Sequence, residues 1–353
     1  MTRGLTPRPT PNPAPSRMPA EVREIPAAVE RLLTEGHAAI AAAAQAARAA
    51  DPLFLATVAR GSSDHACTYL KYAAELVLGL PVASIGPSVA SIYHAPLRLG
   101  RGLCISVSQS GQSPDIVALA RSAGAGGALT VGVTHHAGSP RAGVCDHVLD
   151  IHAGPERSVA ATKSFVTSAV AVLALVAEWR GDDDLIAAIH ALPEALDRAL
   201  AVRWDALRAL LVAQDSLFTI GRGPAWAISN EAALKFKETC LVHAESYSSA
   251  EVLHGPVSIV GEGFPVLAFA AGDAAEPSVA EMADRIAAKG AAVFVTSGLA
   301  ARAEGLDHVR TRHPLTDPLA LITSFYVMVE ELARDRGIDP DTPRHLSKVT
   351  ETV

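Results

Sequence analysis

Two rhythms alternate along this chain. Short continuous apolar runs are followed by segments whose apolar residues recur at helical spacing. Leu55-Ala-Thr-Val-Ala-Arg-Gly61 is an apolar strand ending in Arg-Gly, and a helix-like run follows from Asp64 to Leu78. Leu217-Phe-Thr-Ile-Gly-Arg-Gly223 repeats the pattern 162 positions later, before a helix over Ala225 to Glu238. Leu103-Cys-Ile-Ser-Val107, a polar turn and a helix over Pro114–Ala123 match Pro265-Val-Leu-Ala-Phe269 and a helix over Val279–Lys289 at the same offset. Ala128-Leu-Thr-Val-Gly-Val133 pairs with Ala291-Ala-Val-Phe-Val295, and Asp146-His-Val148 with Asp307-His-Val309. Long apolar helices close each half, over Thr162–Trp179 and Pro318–Asp335.

Short apolar strands between helices read as parallel sheets covered on both faces. The pattern therefore predicts an α/β chain of two doubly wound parallel-sheet domains related by internal repeat. The division expected is a Pro-rich disordered tail over 1–20, leading helices over 21–50 and a first domain over 51–180. A connector over 181–204, a second domain over 205–337 and a C-terminal tail over 338–353 follow. Asp182-Asp-Asp184 reads as a solvated helix start.

Composition narrows the classes. Apolar residues are 49% and charged ones 19% of 353 residues, too apolar for a disordered chain. Aromatics are only 5%, so Ala and small aliphatic side chains must fill the cores. The longest apolar stretch considered, Ala169 to Ala177, is closed by Glu178, short of the roughly 18 residues of a spanning helix. A net charge of −7 argues against non-specific nucleic-acid binding, yet leaves room for a local anion pocket. The four Cys are widely spaced, with no C-x-x-C pair, as expected of thiols in a reducing, cytoplasmic setting. The first 20 residues hold six Pro and no apolar core, so no secretory signal is expected.

In doubly wound folds, ligands bind where strand ends lead into helix N-termini. One such junction is Ser106-Val-Ser108-Gln-Ser110-Gly-Gln-Ser113-Pro-Asp115. Four hydroxyls and Gln109 around one Gly exceed what a single helix cap uses, and hydroxyls with free N–H groups suit a phosphate. Ser62 and Ser63 end the neighbouring strand and could reach the same anion. The equivalent second-half loop, Ala270-Ala-Gly-Asp273, has no hydroxyls. That half instead carries a cluster between Asn230 and Gly255: Glu231, Lys235, Lys237, Glu238, His243, Glu245, Glu251 and His254. Lys235 and Glu238 share a helix face at i, i+3. No metal motif is present and the Ser-rich loop is neither a Walker P-loop nor a dinucleotide fingerprint, so no metal or other cofactor is expected; without G-x-S-x-G no Ser-His-Asp triad is argued.

Several segments carry a resemblance: Ser108-Gln-Ser-Gly111, Ala161-Thr-Lys-Ser-Phe165, Glu231-Ala-Ala-Leu-Lys-Phe-Lys-Glu238, His243-Ala-Glu-Ser-Tyr247, Glu251-Val-Leu-His-Gly-Pro256 and Asp341-Thr-Pro-Arg-His-Leu-Ser-Lys348. In this order they resemble the double sugar-isomerase (SIS) family, and more narrowly the isomerase half of glucosamine-6-phosphate synthase. The resemblance implies that Ser63, Ser108, Gln109, Ser110 and Ser113 hold a sugar 6-phosphate. It implies that Glu238 moves a proton between C1 and C2 with Lys235 beside it. His254 would open the sugar ring from the neighbouring subunit of a homodimer. Lys348 would form an imine with the open-chain ketose, and Val159 would offer a main-chain contact.

The synthase's N-terminal glutaminase domain is not expected here, because the chain starts Met1-Thr-Arg-Gly. The synthase relatives tend to carry Cys where this chain has Arg60, which either contacts the ligand or is a structural residue mirrored by Arg222. The activity expected is an isomerising deaminase: glucosamine 6-phosphate and water give fructose 6-phosphate and ammonia. Alternatives are a fructosamine-6-phosphate deglycase, a galactosamine-6-phosphate deaminase/isomerase, or a non-catalytic sugar-phosphate sensor.

Overall fold

The computed structural model describes residues 16–136, 138 and 142–348. Three helices lead, α1 (Met18–Arg23), α2 (Ile25–Glu35) and α3 (His37–Ala50). The first half follows as β1 (Phe54–Val58), α4 (Ser62–Val77), β2 (Val82–Ser84), α5 (Ser88–Ser91), β3 (Gly102–Val107), α6 (Pro114–Ala125), β4 (Leu129–Thr134), β5 (His147–Asp150) and α7 (Lys163–Arg180). Helices α8 (Asp183–His190), α9 (Leu192–Leu200) and α10 (Asp205–Leu211) connect it to the second half. That half runs β6 (Ser216–Gly221), α11 (Pro224–Cys240), β7 (His243–Ser248), β8 (Pro265–Ala268), α12 (Glu276–Ala287), β9 (Ala292–Val295), β10 (Glu304–Gly305) and α13 (Asp317–Asp335).

Both sheets are five-stranded and parallel throughout. Their orders, β2-β1-β3-β4-β5 and β7-β6-β8-β9-β10, are the same topology twice. In each, the chain steps one way from its first strand and then the other way, which opens a crevice between the first and third strands.

Strand periodicity explains how each sheet is covered. Leu103, Ile105 and Val107 of β3 join the core shared by both halves, while Cys104 faces the small cluster under α6. Phe218 and Ile220 of β6 likewise face α12, and Leu217 faces the shared core. Helix α7 is buried on nearly every side, from Lys163 to Ala177. A helix apolar all round belongs in such a position. It packs against α3 and α4, and α11 packs against α4 and α13, so one core spans the repeat.

Two expectations are corrected. Structure begins before Glu21: α1 starts at Met18, and Asp341 accepts from the Arg17 and Met18 N–H groups and from the Ser16 hydroxyl. The expected tail over 1–20 thus falls outside the described residues only as far as residue 15. No strand forms at Asp307–Val309; the edge strand is β10, two residues long and earlier, with the Asp307 carbonyl accepting from the Trp204 indole instead. The cluster between Asn230 and Gly255 spans three elements, a largely buried helix, a strand and a 3-10 turn over Glu251–Leu253. Asp182 does cap a helix, its carboxylate accepting from the Leu185 N–H.

The repeated Arg-Gly is a turn in an unusual backbone region. Gly61 and Gly223, with φ of 56° and 58° and ψ of −136° and −140°, precede α4 and α11. A Cβ on Gly61 would meet nothing within 4 Å. Gly61→Ala should therefore cost about 1–3 kcal/mol through backbone strain alone, read as a lower urea midpoint with an unchanged m-value.

Candidate active site

The crevice between β1 and β3 is lined by the two loops singled out in the sequence. A cavity of about 290 Å³ is bounded by Arg60, Gly61, Ser63, Ser108, Gln109, Ser110, Ser113 and Lys348. Gly111, with φ of 63°, turns the loop back on itself. The Ser108 and Ser110 hydroxyls accept from the Gly111 and Gln112 N–H groups and hold that turn. Ser113 sits at the cap position of α6 but makes no side-chain cap bond. Arg60 answers the question left open by sequence: the buried Asp115 carboxylate accepts from its Nε at 2.8 Å and pairs with its Nη2 at 2.7 Å, while its half-exposed side chain lines the cavity. Arg222, its counterpart, is exposed.

A second cavity of about 140 Å³ shares Arg60, Ser63 and Gln109 with the first and adds Val159, Ser164 and Glu238. The structure thus brings nine of the ten candidates to one region. Lys235 reaches it only through Glu238 and Ser62, because its side chain is fully buried beneath. The exception is His254. It is exposed, follows the 3-10 turn, and lines neither cavity.

The polar network under Glu238 joins the two halves. Lys235 of α11 pairs with Glu238 and, at 3.3 Å, with Glu231, and donates to the Ser62 hydroxyl. Glu231 in turn accepts from Ser62 of α4 at 3.0 Å, from the His65 Nδ1–H at 2.8 Å and from the Tyr326 hydroxyl of α13 at 3.2 Å. Burial alone would neutralise this carboxyl. Lys235 and His65 outweigh it and hold Glu231 below the usual carboxylate range. Burial also works against the Lys235 charge, but its two carboxylate partners raise its pKa above the ordinary value. Burial, then the Glu231 charge, pushes the Tyr326 phenol far up, so it stays a donor.

Glu156 is the second buried carboxylate, between β5 and α7. It accepts from the Thr162 and Ser164 N–H groups at the start of α7, from the Ser164 hydroxyl at 2.5 Å, from Gln109 Nε2 at 3.0 Å and from Lys348 Nζ at 2.9 Å. Burial raises its pKa, but Lys348 and these donors bring the balance below the usual range. Glu156 fixes the Gln109 amide and the C-terminal Lys348 together. Asp341 ties the same tail to the loop before α7 through the Ser158 hydroxyl at 2.8 Å.

Sequence reasoning missed Glu156 and the centrality of Glu231. The signals existed: Glu231, Lys235 and Glu238 recur at i, i+4, i+7 on one helix face. Glu156 lies just before a helix start, where a carboxylate finds free N–H groups. Among the described residues no cluster of His, Cys, Asp and Glu could hold a metal, and no helix is long and apolar enough to cross a membrane.

The SIS domain family model matches residues 55–178 and 210–301. The chain belongs to the SIS domain family. Within it, the chain is 32% identical over 337 residues to the isomerizing glutamine–fructose-6-phosphate aminotransferase of Methanothermobacter thermautotrophicus, covering 93% of this chain and 56% of that one. It spans about half the length of the curated relatives it matches. A solved structure from Silicibacter pomeroyi, provisionally named a phosphosugar isomerase, is 65% identical with a TM-score of 0.91, covering 93% of this chain and all of that one. The fold is shared with a glucosamine-6-phosphate deaminase of Thermotoga maritima, at 20% identity and a TM-score of 0.76, over 96% of this chain and 100% of that one.

Two stability outcomes follow. Glu231→Leu removes one partner of a buried ion network and should cost about 3–5 kcal/mol, measured by urea unfolding. Glu156 is held below its unfolded value of 4.5, so its contribution is full above that pH and is lost as pH falls through the folded value. Lys348→Met should be less stable than wild type at neutral pH, and the gap should close as unfolding is repeated below pH 4.5. A gap independent of pH would contradict the role of the Lys348–Glu156 pair.

Proposed function

We propose that this chain is an amino-sugar-phosphate deaminase/isomerase, converting glucosamine 6-phosphate and water to fructose 6-phosphate and ammonia. The observation that carries the reading is Glu238, a carboxylate steadied by a buried ammonium, on a cavity that shares Arg60, Ser63 and Gln109 with the one at the hydroxyl-rich loop before α6. A 6-phosphate fits that loop: Ser108, Gln109, Ser110 and Ser113 lie at the α6 start, Ser63 lies in the first turn of α4, and Arg60 supplies charge. Relatives named as acting on fructose 6-phosphate support the same substrate class.

In the open-chain sugar, the Glu238 carboxylate takes the C2 proton, leaving an enol-amine across C1 and C2. The proton returns to C1, and C2 becomes a protonated imine. Water adds to C2 and ammonia leaves, giving the ketose. Lys235 holds the Glu238 carboxylate in place and keeps positive charge beside the developing oxyanion. Val159 lines the reacting end of the cavity and offers its main chain to the sugar. Lys348, released from Glu156, is the amine that can form an imine with the ketose carbonyl. His254 serves ring opening in the site of a second copy, so the active unit is a homodimer.

The purified protein should release ammonia from glucosamine 6-phosphate without glutamine. Glu238→Gln should lower kcat about 10²–10⁴-fold while still binding fructose 6-phosphate. Release of the substituted amine from an N-substituted fructosamine 6-phosphate, with no turnover of glucosamine 6-phosphate, would move the assignment to a deglycase, and binding without turnover of any hexosamine phosphate would make the chain a sensor. Mixed subunits carrying Glu238→Gln and His254→Asn should regain activity that neither variant has alone. No recovery after co-expression would place the site within one chain.

A further inference from the structure

A third cavity, of about 300 Å³, lies on the far side of the Gln109–Ser110 loop. Its walls include His135, His136, Arg157, Glu156 and Lys348. The charges here do not cancel. Glu156 and Lys348 neutralise each other at 2.9 Å. Arg157, an exposed residue on the cavity wall, is left over: its main-chain N–H donates to Glu21, but its guanidinium has no partner among the described residues. The Nδ1 atom of His135 is buried without a hydrogen-bond partner, and the His136 ring meets the His135 ring edge-on at 5.0 Å. A buried polar atom without a partner is uncommon in folded proteins. An unmatched cation beside unused imidazole nitrogens suits an anion with several acceptor oxygens.

We propose that this cavity is a second anion subsite, taking a carboxylate or phosphate group, with Arg157 as charge partner and the two imidazoles as hydrogen-bonding groups. It shares Lys348 with the first cavity. An anion held here offers the Lys348 ammonium an alternative to Glu156, so its occupancy is coupled to the sugar site. The group can belong to a separate small acid or to an acidic substituent on the substrate nitrogen. The proposal rests on the sugar-phosphate reading only in treating the first cavity as the sugar site.

The test is calorimetric titration of the full chain with inorganic phosphate. Two classes of site are expected. Ser113→Asp, which alters only the first cavity, should leave one class. Arg157→Glu should weaken the other class about tenfold or more, as loss of a charge-assisted contact does. Arg157→Gln serves the same purpose if the charge reversal fails to fold. A single class of site in wild type, or a second class indifferent to both Arg157 variants, overturns the subsite. A failure of the sugar-phosphate reading shows separately, as a first class indifferent to Ser113→Asp. A further titration separates the sources. A free acid as occupant predicts that phosphate still binds after saturation with fructose 6-phosphate. A substrate-borne acid predicts that N-carboxymethylfructosamine 6-phosphate binds about tenfold tighter than its N-ethyl analogue, with the advantage gone in Arg157→Gln. Both arms negative overturn the subsite.

Discussion

The fully buried ammonium of Lys235 is the constraint on which the rest of the site depends. A Lys side chain without exposure survives only if carboxylates and hydroxyls replace its water. Glu231, Glu238 and Ser62 do so here, and they come from both halves of the repeat. Glu231 is itself saturated by Ser62, His65 and Tyr326, which belong to α4 and α13. The halves therefore cannot slide past one another without leaving a buried charge unpaired. The same requirement fixes Glu238 at the mouth of the cavity, where it and Ser62 are the members of the network that line the ligand space.

The repeat has kept its topology and divided its chemistry. Both crevices lie between the first and third strands of the same parallel order. In the first half the crevice is lined by hydroxyls and Arg60. In the second, the chain's own groups fill it. The Asp317 carboxylate accepts from the Gly272 N–H at 2.7 Å and from the Thr311 N–H at 2.6 Å, and Arg310 pairs with both Asp317 and Glu276. An internal carboxylate thus occupies the loop where the first half has a cavity lined by hydroxyls. The second half contributes α11 instead, and the site is built from one half's loop and the other half's helix.

Much of this was legible in the sequence, because it rests on local patterns. Apolar runs at a nearly constant offset revealed both sheets, and the Ser-rich turn after Val107 marked the candidate crevice. What escaped depends on tertiary context. Glu156 gains its role only when the start of α7 presents N–H groups and the tail presents Lys348. Glu231 reads as one more charge on an amphipathic helix until α4 and α13 close over it. Asp307-His-Val309 matched the first-half strand by residue type, yet the second sheet ends in a two-residue strand before it. The start of structure was misjudged because Asp341, 323 positions beyond Met18, supplies the acceptors that hold the chain there.

The central claim is that one carboxylate, Glu238, carries a proton from C2 to C1 above a buried Lys235. Turnover of glucosamine 6-phosphate in heavy water, with the product examined by NMR, tests it directly. A single base exchanging partly with solvent places deuterium at C1 of fructose 6-phosphate, and Lys235→Met, which leaves Glu238 without its partner, should abolish that incorporation together with turnover. Product formed at the wild-type rate by the Lys235→Met or Glu238→Gln protein, with the same label at C1, would contradict the account.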